Sequence, residues 1–84
     1  MYHVYILKSQ KHNRYYIGST KDVAKRLEKH NSGGSTYTRA YRPWEVIYTE
    51  QHPDRKVAEK RERVIKSYKG GEAFKRLLKN AGVV

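Results

Sequence analysis

Cysteine is absent from the chain, so neither a disulfide framework nor a thiolate metal site can hold it together, and the redox compartment is left open. Apolar residues are few: 37% of the 84 positions even with eight tyrosines counted, beside one tryptophan, one phenylalanine and one methionine. The core therefore has to be small and has to lean on aromatic side chains that keep one polar end. Long apolar runs are lacking as well. The N-terminal stretch Met1-Tyr2-His3-Val4-Tyr5-Ile6-Leu7-Lys8 is too short for a signal peptide or a membrane span, which points to a soluble, cytoplasmic protein with no membrane partner. At 84 residues the expectation is one domain, 1–84, with no internal repeat.

Acid is scarce too. Eight Asp and Glu face nineteen Lys and Arg, a formal charge of +11 that repels itself in so short a chain unless an anionic partner offsets it. Nucleic acid is the commonest such partner, although charge alone also suits a ribosome-associated protein or a membrane-surface binder.

What is present falls into a simple order. Residues 2–8 and 14–19 are rich in Tyr, Val, Ile and Leu and read as two strands. The short polar Ser9-Gln10-Lys11-His12-Asn13 between them suits an antiparallel hairpin. Ser19-Thr20-Lys21-Asp22 offers hydroxyl N-caps and an acidic first turn to a helix over about 21–31, with Val23, Ala24 and Leu27 at helical spacing. From Asn31-Ser32-Gly33-Gly34-Ser35 to Arg42-Pro43 no period is visible, which predicts a long loop. Trp44 to Glu50 has strand composition, and Asp54 caps a helix over about 54–68. In that helix Val57, Ala58, Arg61, Val64, Ile65 and Tyr68 form the packing stripe, and Gly70-Gly71 ends it. Ala73, Phe74, Leu77 and Leu78 mark a further short helix over 72–80, after which the chain is expected to fray. The predicted architecture is α+β, β-β-α-β-α-α, with a three-stranded antiparallel sheet flanked by helices.

Several residues have the chemistry of phosphodiester hydrolysis, which needs water activation, cationic stabilisation of phosphate and usually a carboxylate-held divalent cation. Arg26 and His30, four apart, share a helix face beside the Val23 and Leu27 stripe and are expected at the sheet border. Glu62 flanks the buried stripe of the second long helix. Spacing alone makes Glu62 a surface charge paired with Lys66, Arg26 a solvated cation and His30 a helix C-terminal residue. Tyr5 and Tyr16 lie in strands where half-buried aromatics occur for packing, while a nearby Arg26 would favour a phenolate able to take a proton.

The order of these residues carries a resemblance. Val4-Tyr5, then Tyr16-Ile17-Gly18 after ten intervening residues, Arg26, His30, Asn31-Ser32-Gly33, Tyr37-Thr38-Arg39, Pro43 and Glu62 together resemble the GIY-YIG nuclease family over nearly the whole chain. The likeness looks closest to small stand-alone bacterial members related to the N-terminal nuclease domain of the excision-repair protein UvrC. His3 replaces glycine in the first triplet, and Ser19 stands where some relatives carry a lysine. The resemblance implies a DNA endonuclease with Tyr5 and Tyr16 as active-site phenols and Arg26 as the phosphate-stabilising cation. It further implies His30 as a proton-handling or substrate-contacting group, Glu62 as the ligand of one Mg²⁺ or Mn²⁺, and Gly18 as structural support.

Lys8, Lys11, Arg14, Lys21 and Lys25, with Tyr37, Arg39 and Arg42 of the predicted loop, would position a nucleic-acid backbone without reading its sequence, DNA first and RNA second. The rival expectations are a binding module of the same fold with little cleavage activity, and a structural RNA binder whose aromatics stack on unpaired bases.

Overall fold

Strand β1 (Tyr2–Ser9) has four successive buried residues, Val4, Tyr5, Ile6 and Leu7. Successive side chains leave a strand on opposite faces, so an unbroken buried run needs cover on both. The computed structural model, which describes residues 1–82, supplies both covers. β1 is the middle strand of an antiparallel sheet ordered β2-β1-β3, with β2 (Tyr15–Thr20) on one side and β3 (Trp44–His52) on the other. The helices are α1 (Val23–Asn31), α2 (Thr36–Arg39), α3 (Arg55–Lys66) and α4 (Glu72–Asn80). Among the described residues no helix is long and apolar enough to cross a membrane.

On one face Val4 and Ile6 pack with Ile17 against Ala58 and Ile65 of α3 and Phe74 and Leu78 of α4. On the other, Tyr5 and Leu7 pack with Tyr16, Val46 and Trp44 against Val23 and Leu27 of α1 and against Tyr41. The β1–β3 register slips between Ile6 and Leu7, so Tyr48 pairs with Ile6 and Val46 with Leu7. This bulge lets the adjacent Ile47 and Tyr48 both join the α3 side, as two residues opposite one can.

The expected α+β order and pairing hold, with four local corrections. The α1 cap is Asp22 itself, whose carboxylate accepts from Lys25 N at 3.0 Å; the Thr20 hydroxyl instead accepts from Asp22 N at 3.2 Å. Asp54 caps α3 as expected, accepting from Val57 N at 3.0 Å. The α3 stripe is narrower than the sequence suggests: Ala58 and Ile65, seven apart, are buried, whereas Val57 and Val64 are 42% and 41% exposed. One residue back along a helix is a turn of about 100° away from the core line. Ala24 and Ala73 are exposed for the same reason. α3 also stops at Lys66, with Tyr68 in the turn beyond it.

The fourth correction concerns residues 32–43. This segment contains α2, too short to show a period, and side chains pin it down. Asn31 brackets Trp44, its Oδ1 accepting from the backbone N at 2.6 Å and its Nδ2 donating to the carbonyl at 3.0 Å. The Trp44 indole donates to the Thr38 carbonyl at 2.9 Å, and Ser9 Oγ donates to the Tyr41 carbonyl at 2.6 Å. At the other end of the chain α4 closes at Asn80 with Ala81 as its C-cap. Of the predicted frayed tail, residues 83 and 84 lie outside the described residues.

One acidic residue fastens α3 to the far end of the sheet. Glu50 of β3 accepts from Arg61 Nε at 2.8 Å, from His52 Nε2 at 2.9 Å and from the Tyr48 hydroxyl. Burial pushes its carboxyl up, but the bonds from Tyr48, Arg61 and His52 outweigh this and hold it below the usual carboxylate value. A depressed folded-state value gives stability that is present above the unfolded carboxylate range, about 4.3, and lost as pH falls through the folded value. Glu50→Gln is therefore expected to destabilise the protein by about 1–3 kcal/mol at neutral pH. In urea melts across pH, the gap to wild type should close below the carboxylate range; a gap that persists there would assign the loss to packing.

Candidate active site at the edge of strand β2

β2 has no neighbour beyond it in the sheet, and its side chains alternate between the two helical layers. Tyr16 and Gly18 pair with Leu7 and Tyr5, on the α1 side. Ser19 pairs with Val4, on the α3 side. Gly18 is the opening between them. A Cβ built there would stand 2.6 Å from the Tyr5 hydroxyl oxygen and 2.8 Å from Cζ, so the Tyr5 phenol lies over β2 only because position 18 has no side chain. Gly18 was expected only as structural support; the support it gives is room for the phenol of the central strand.

Helix α1 brings the next two groups. His30 is only 2% exposed, with Nε2 3.3 Å from the Tyr5 hydroxyl oxygen and Nδ1 2.8 Å from Thr38 Oγ1 on α2. The Tyr16 ring centre lies 4.7 Å from that of His30 and 6.3 Å from that of Tyr5. Arg26, one turn before His30, is half-buried and stands close enough to Tyr5 to act on its ionisation. Tyr5 is buried, not half-buried as expected. Burial first, then Tyr16, pushes its hydroxyl well above the ordinary phenol value, and Glu62 adds to this while Arg26 pulls the other way. The cation thus acts in the sense expected but is outweighed, and the resting side chain is a neutral phenol. Burial, then Arg26 and Lys29, depresses the proton affinity of His30, which is neutral at pH 7.

α3 supplies the carboxylate from the opposite face. Glu62 Oε1 accepts from Ser19 Oγ at 2.7 Å, and Oε2 pairs with Lys66 Nζ at 2.6 Å. The i,i+4 pair expected of a surface charge is therefore formed, yet Glu62 is also half-buried and turned onto β2. It is near enough to Tyr5 to raise its pKa. A cleft of about 460 Å³ beside it, lined by Ser19, Thr20, Lys21, Arg26, Arg55 and Glu59, joins α1 to α3 across the end of β2. Among the described residues no three His, Asp or Glu side chains converge as a metal-binding group, so any cation here would depend on one carboxylate.

The basic residues expected to bind nucleic acid are spread over several hollows and beyond them. Lys21 lines the cleft beside Arg26. Arg14 and Tyr37 line a second hollow of about 530 Å³ with Tyr15, Lys66 and Lys69. Tyr37 is 62% exposed, its ring centre 6.3 Å from that of Tyr16, and the Arg14 guanidinium lies 4.9 Å from the centre of the Tyr41 ring. Lys25 lies on the outer side of α1 with Glu28 and Lys29. Lys8, Lys11, Arg39 and Arg42 line neither of the two clefts.

The Tyr16 phenol, the Arg26 guanidinium, the His30 imidazole and the Glu62 carboxylate thus gather about the Tyr5 phenol, which itself lies over Gly18. Residues 1–74 match the family described as the GIY-YIG catalytic domain. The chain belongs to the GIY-YIG family. A UPF0213 protein of Staphylococcus aureus is 44% identical over 66 residues, 77% of this chain and 79% of the relative. One from Staphylococcus saprophyticus is 40% identical over 68 residues, 80% of this chain and 82% of the relative. A UPF0213 protein from Bacillus halodurans, solved in solution by NMR, superposes with a TM-score of 0.53 at 32% identity, covering 95% of this chain and 83% of that one.

In this GIY-YIG domain Ser19, Thr38 and Lys66 hold Glu62 or His30; the i,i+4 step from Glu62 to Lys66 was readable and Thr38 falls in the motif stretch Tyr37-Thr38-Arg39, but nothing in the spacing pairs Ser19 with Glu62 or Thr38 with His30.

The Gly18 geometry has a sign that can be tested. Replacing a strand glycine by alanine ordinarily stabilises, by roughly 0.5–1 kcal/mol. Here the added methyl meets a buried aromatic ring that cannot swing away, and Gly18→Ala is expected to cost about 1–3 kcal/mol in urea denaturation. The cost should shrink when Tyr5 is also replaced by Leu; a stabilising Gly18→Ala would mean that Tyr5 does not lie over the glycine.

Proposed function

We propose that this chain hydrolyses phosphodiester bonds in nucleic acid, DNA foremost and RNA second, as a cytoplasmic endonuclease in which residues 1–84 act as one domain. The observation that carries the proposal is the gathering of Tyr16, Arg26, His30 and Glu62 about the Tyr5 phenol, contributed by β1, β2, α1 and α3. Positive charge supports it: Lys21, Arg26 and Arg55 share the cleft with one carboxylate, Glu59, which is paired to Arg55 at 3.1 Å.

Glu62 is the residue that would hold a divalent cation. Each of its oxygens has one protein donor, leaving lone pairs open, and a hard cation that keeps most of its water needs only one or two carboxylates. The donor chemistry therefore fits Mg²⁺ or Mn²⁺, held weakly in the absence of substrate. When bound, such an ion adds charge neutralisation at the phosphate and at the leaving oxygen.

The chain's own groups do the rest. Arg26 faces the phosphate oxygens, where charge accumulates as the water–phosphorus bond forms and the ester P–O bond breaks. A phenol oxygen, Tyr5 or Tyr16, receives the proton that the attacking water loses. Burial keeps Tyr5 a neutral phenol at rest, so in that role it works as a relay, passing its hydroxyl proton to a phosphate oxygen as it takes one from water. Lys21 beside the cleft and Arg14 in the second hollow hold the backbone on either side.

The second reading, a binding module with little turnover, is favoured by one feature: the Lys66 ammonium already occupies an oxygen of Glu62. Labelled single-stranded, duplex and branched DNA with Mg²⁺, Mn²⁺ or EDTA separates the two. Wild type is expected to cleave only with metal, Glu62→Gln to lose the metal-dependent rate, and Arg26→Ala to lose roughly 10²–10³-fold. Salt-sensitive binding without cleavage in all three proteins would establish the binding module instead.

A salt titration of binding adds an independent check. If backbone contacts dominate, log K should fall linearly with log salt, and Lys21→Ala should flatten the slope by about one while weakening all sequences alike. A salt-independent affinity would remove backbone phosphate as the main contact.

A further inference from the structure

Lys66, the last residue of α3, belongs to two places at once. Its ammonium lies 2.6 Å from Glu62 Oε2 in the candidate active site. Its side chain also lines the hollow of about 530 Å³ that holds Arg14, Tyr15, Tyr37 and Lys69. No carboxylate lines that hollow. Among the described residues Glu62 is the one acid paired with a cation of its wall, and Arg14 and Lys69 have no acidic partner.

The two ends of the pair are not equally fixed. Glu62 is held a second time, by the Ser19 hydroxyl donating to Oε1 at 2.7 Å, and its side chain is only 18% exposed, against 51% for Lys66. An exposed lysine pair is weak, because water and salt compete for an ammonium on a flexible four-carbon stem. The pair therefore opens by movement of the lysine, while the carboxylate stays where Ser19 holds it. Opening matters because an ammonium and a divalent cation compete for Glu62. Oε2 keeps a second lone pair, but a dication placed on it would stand close beside the Lys66 charge, and the two repel. A backbone phosphate in the hollow offers the ammonium another anion, one that Arg14 and Lys69 also attract.

We propose that Lys66 couples the two places: at rest it neutralises Glu62 and keeps divalent cations off it, and a nucleic-acid phosphate entering the hollow draws it away and opens the carboxylate. Metal and nucleic acid then bind cooperatively, each raising the affinity for the other by the same factor. The lysine exchanges one anion for another without any bond being made or broken, and only its own side chain has to move. The pair that on its own favours a binding module thus becomes the resting state of a site completed by its substrate.

The proposal rests on the reading of Glu62 as the cation-holding residue, and Mn²⁺ binding tests it without turnover. The full chain is titrated at constant ionic strength, with the free ion followed by electron paramagnetic resonance. Lys66→Met keeps the length of the side chain and removes its charge; it is expected to bind Mn²⁺ roughly tenfold more tightly than wild type. Adding Glu62→Gln should abolish that binding. Lys60→Met removes the same charge from an exposed position on α3 and should change the affinity by less than about twofold, which separates a direct partner from a general loss of positive charge. Urea denaturation checks that the variants fold, with Lys66→Gln as the replacement for an unstable Lys66→Met. Coupling is read from the anisotropy of a labelled oligonucleotide in an Arg26→Ala background that slows cleavage. There Mn²⁺ should tighten binding through Glu62, and the gain should shrink severalfold in Lys66→Met.

A Mn²⁺ affinity no higher in Lys66→Met than in wild type, or an equal rise in Lys60→Met, would overturn the proposal. Tighter Mn²⁺ binding by Lys66→Met in a protein that cleaves no nucleic acid would leave the role of Lys66 standing and defeat the nuclease reading alone. Metal-dependent cleavage by wild type, with Mn²⁺ affinity indifferent to Lys66, would do the reverse.

Discussion

Four successive residues of β1, Val4 to Leu7, are withdrawn from water, and because their side chains leave the strand alternately to either side, this requires a layer of helix on each face of a sheet only three strands wide. With so little apolar material in the chain, each layer has to be thin. α3 and α4 cover one face, chiefly through Ala58, Ile65, Phe74 and Leu78, and α1 covers the other with Val23 and Leu27. A two-sided sheet this narrow brings both helical layers to the edge of β2. That is where a phenol from the centre strand, an arginine from one layer and a carboxylate from the other can meet without any long loop carrying them.

The scarce acid is spent locally. Of eight carboxylates, Asp22 and Asp54 cap helices and Glu50, Glu59 and Glu62 pair with Arg61, Arg55 and Lys66. Each of these anions answers a need of the fold, a helix N-terminus or a neighbouring cation. The surplus of positive charge is left to other residues, among them Lys21 and Arg26 in the cleft and Arg14 and Lys69 in the tyrosine-lined hollow. Two basic regions toward opposite ends of β2 suit a polyanion laid along the strand better than a small anion held in one pocket.

Inside the site, low water content has two effects that work against each other. It disfavours charge on Tyr5 and on His30, keeping both neutral at rest. It also makes each hydrogen bond to those groups count for more, among them the contact of Thr38 Oγ1 with His30 Nδ1. Two ordinary polar residues, Ser19 and Thr38, thus hold Glu62 and His30 from neighbouring elements.

Much of the fold was legible because it depends on local rules. Alternating β-branched and aromatic residues marked the strands, and Asp54 and the 3.6-residue period marked α3; the motif order placed Tyr5, Tyr16, Arg26, His30 and Glu62 in one family pattern. The tertiary structure alone decided what lies between distant segments. The four-residue α2 has no period to read, and its order comes from Asn31 and Trp44 thirteen residues apart. Gly18's role depends on a ring from the neighbouring strand, and the face that Glu62 presents to Ser19 depends on how α3 sits on the sheet. Composition and spacing by themselves determined a small, basic α+β chain, and the resemblance of its motif order marked the residues of a candidate phosphodiesterase site. Which protons those parts carry is set by burial and by partners from other elements, quantities that exist only once the chain has closed on itself.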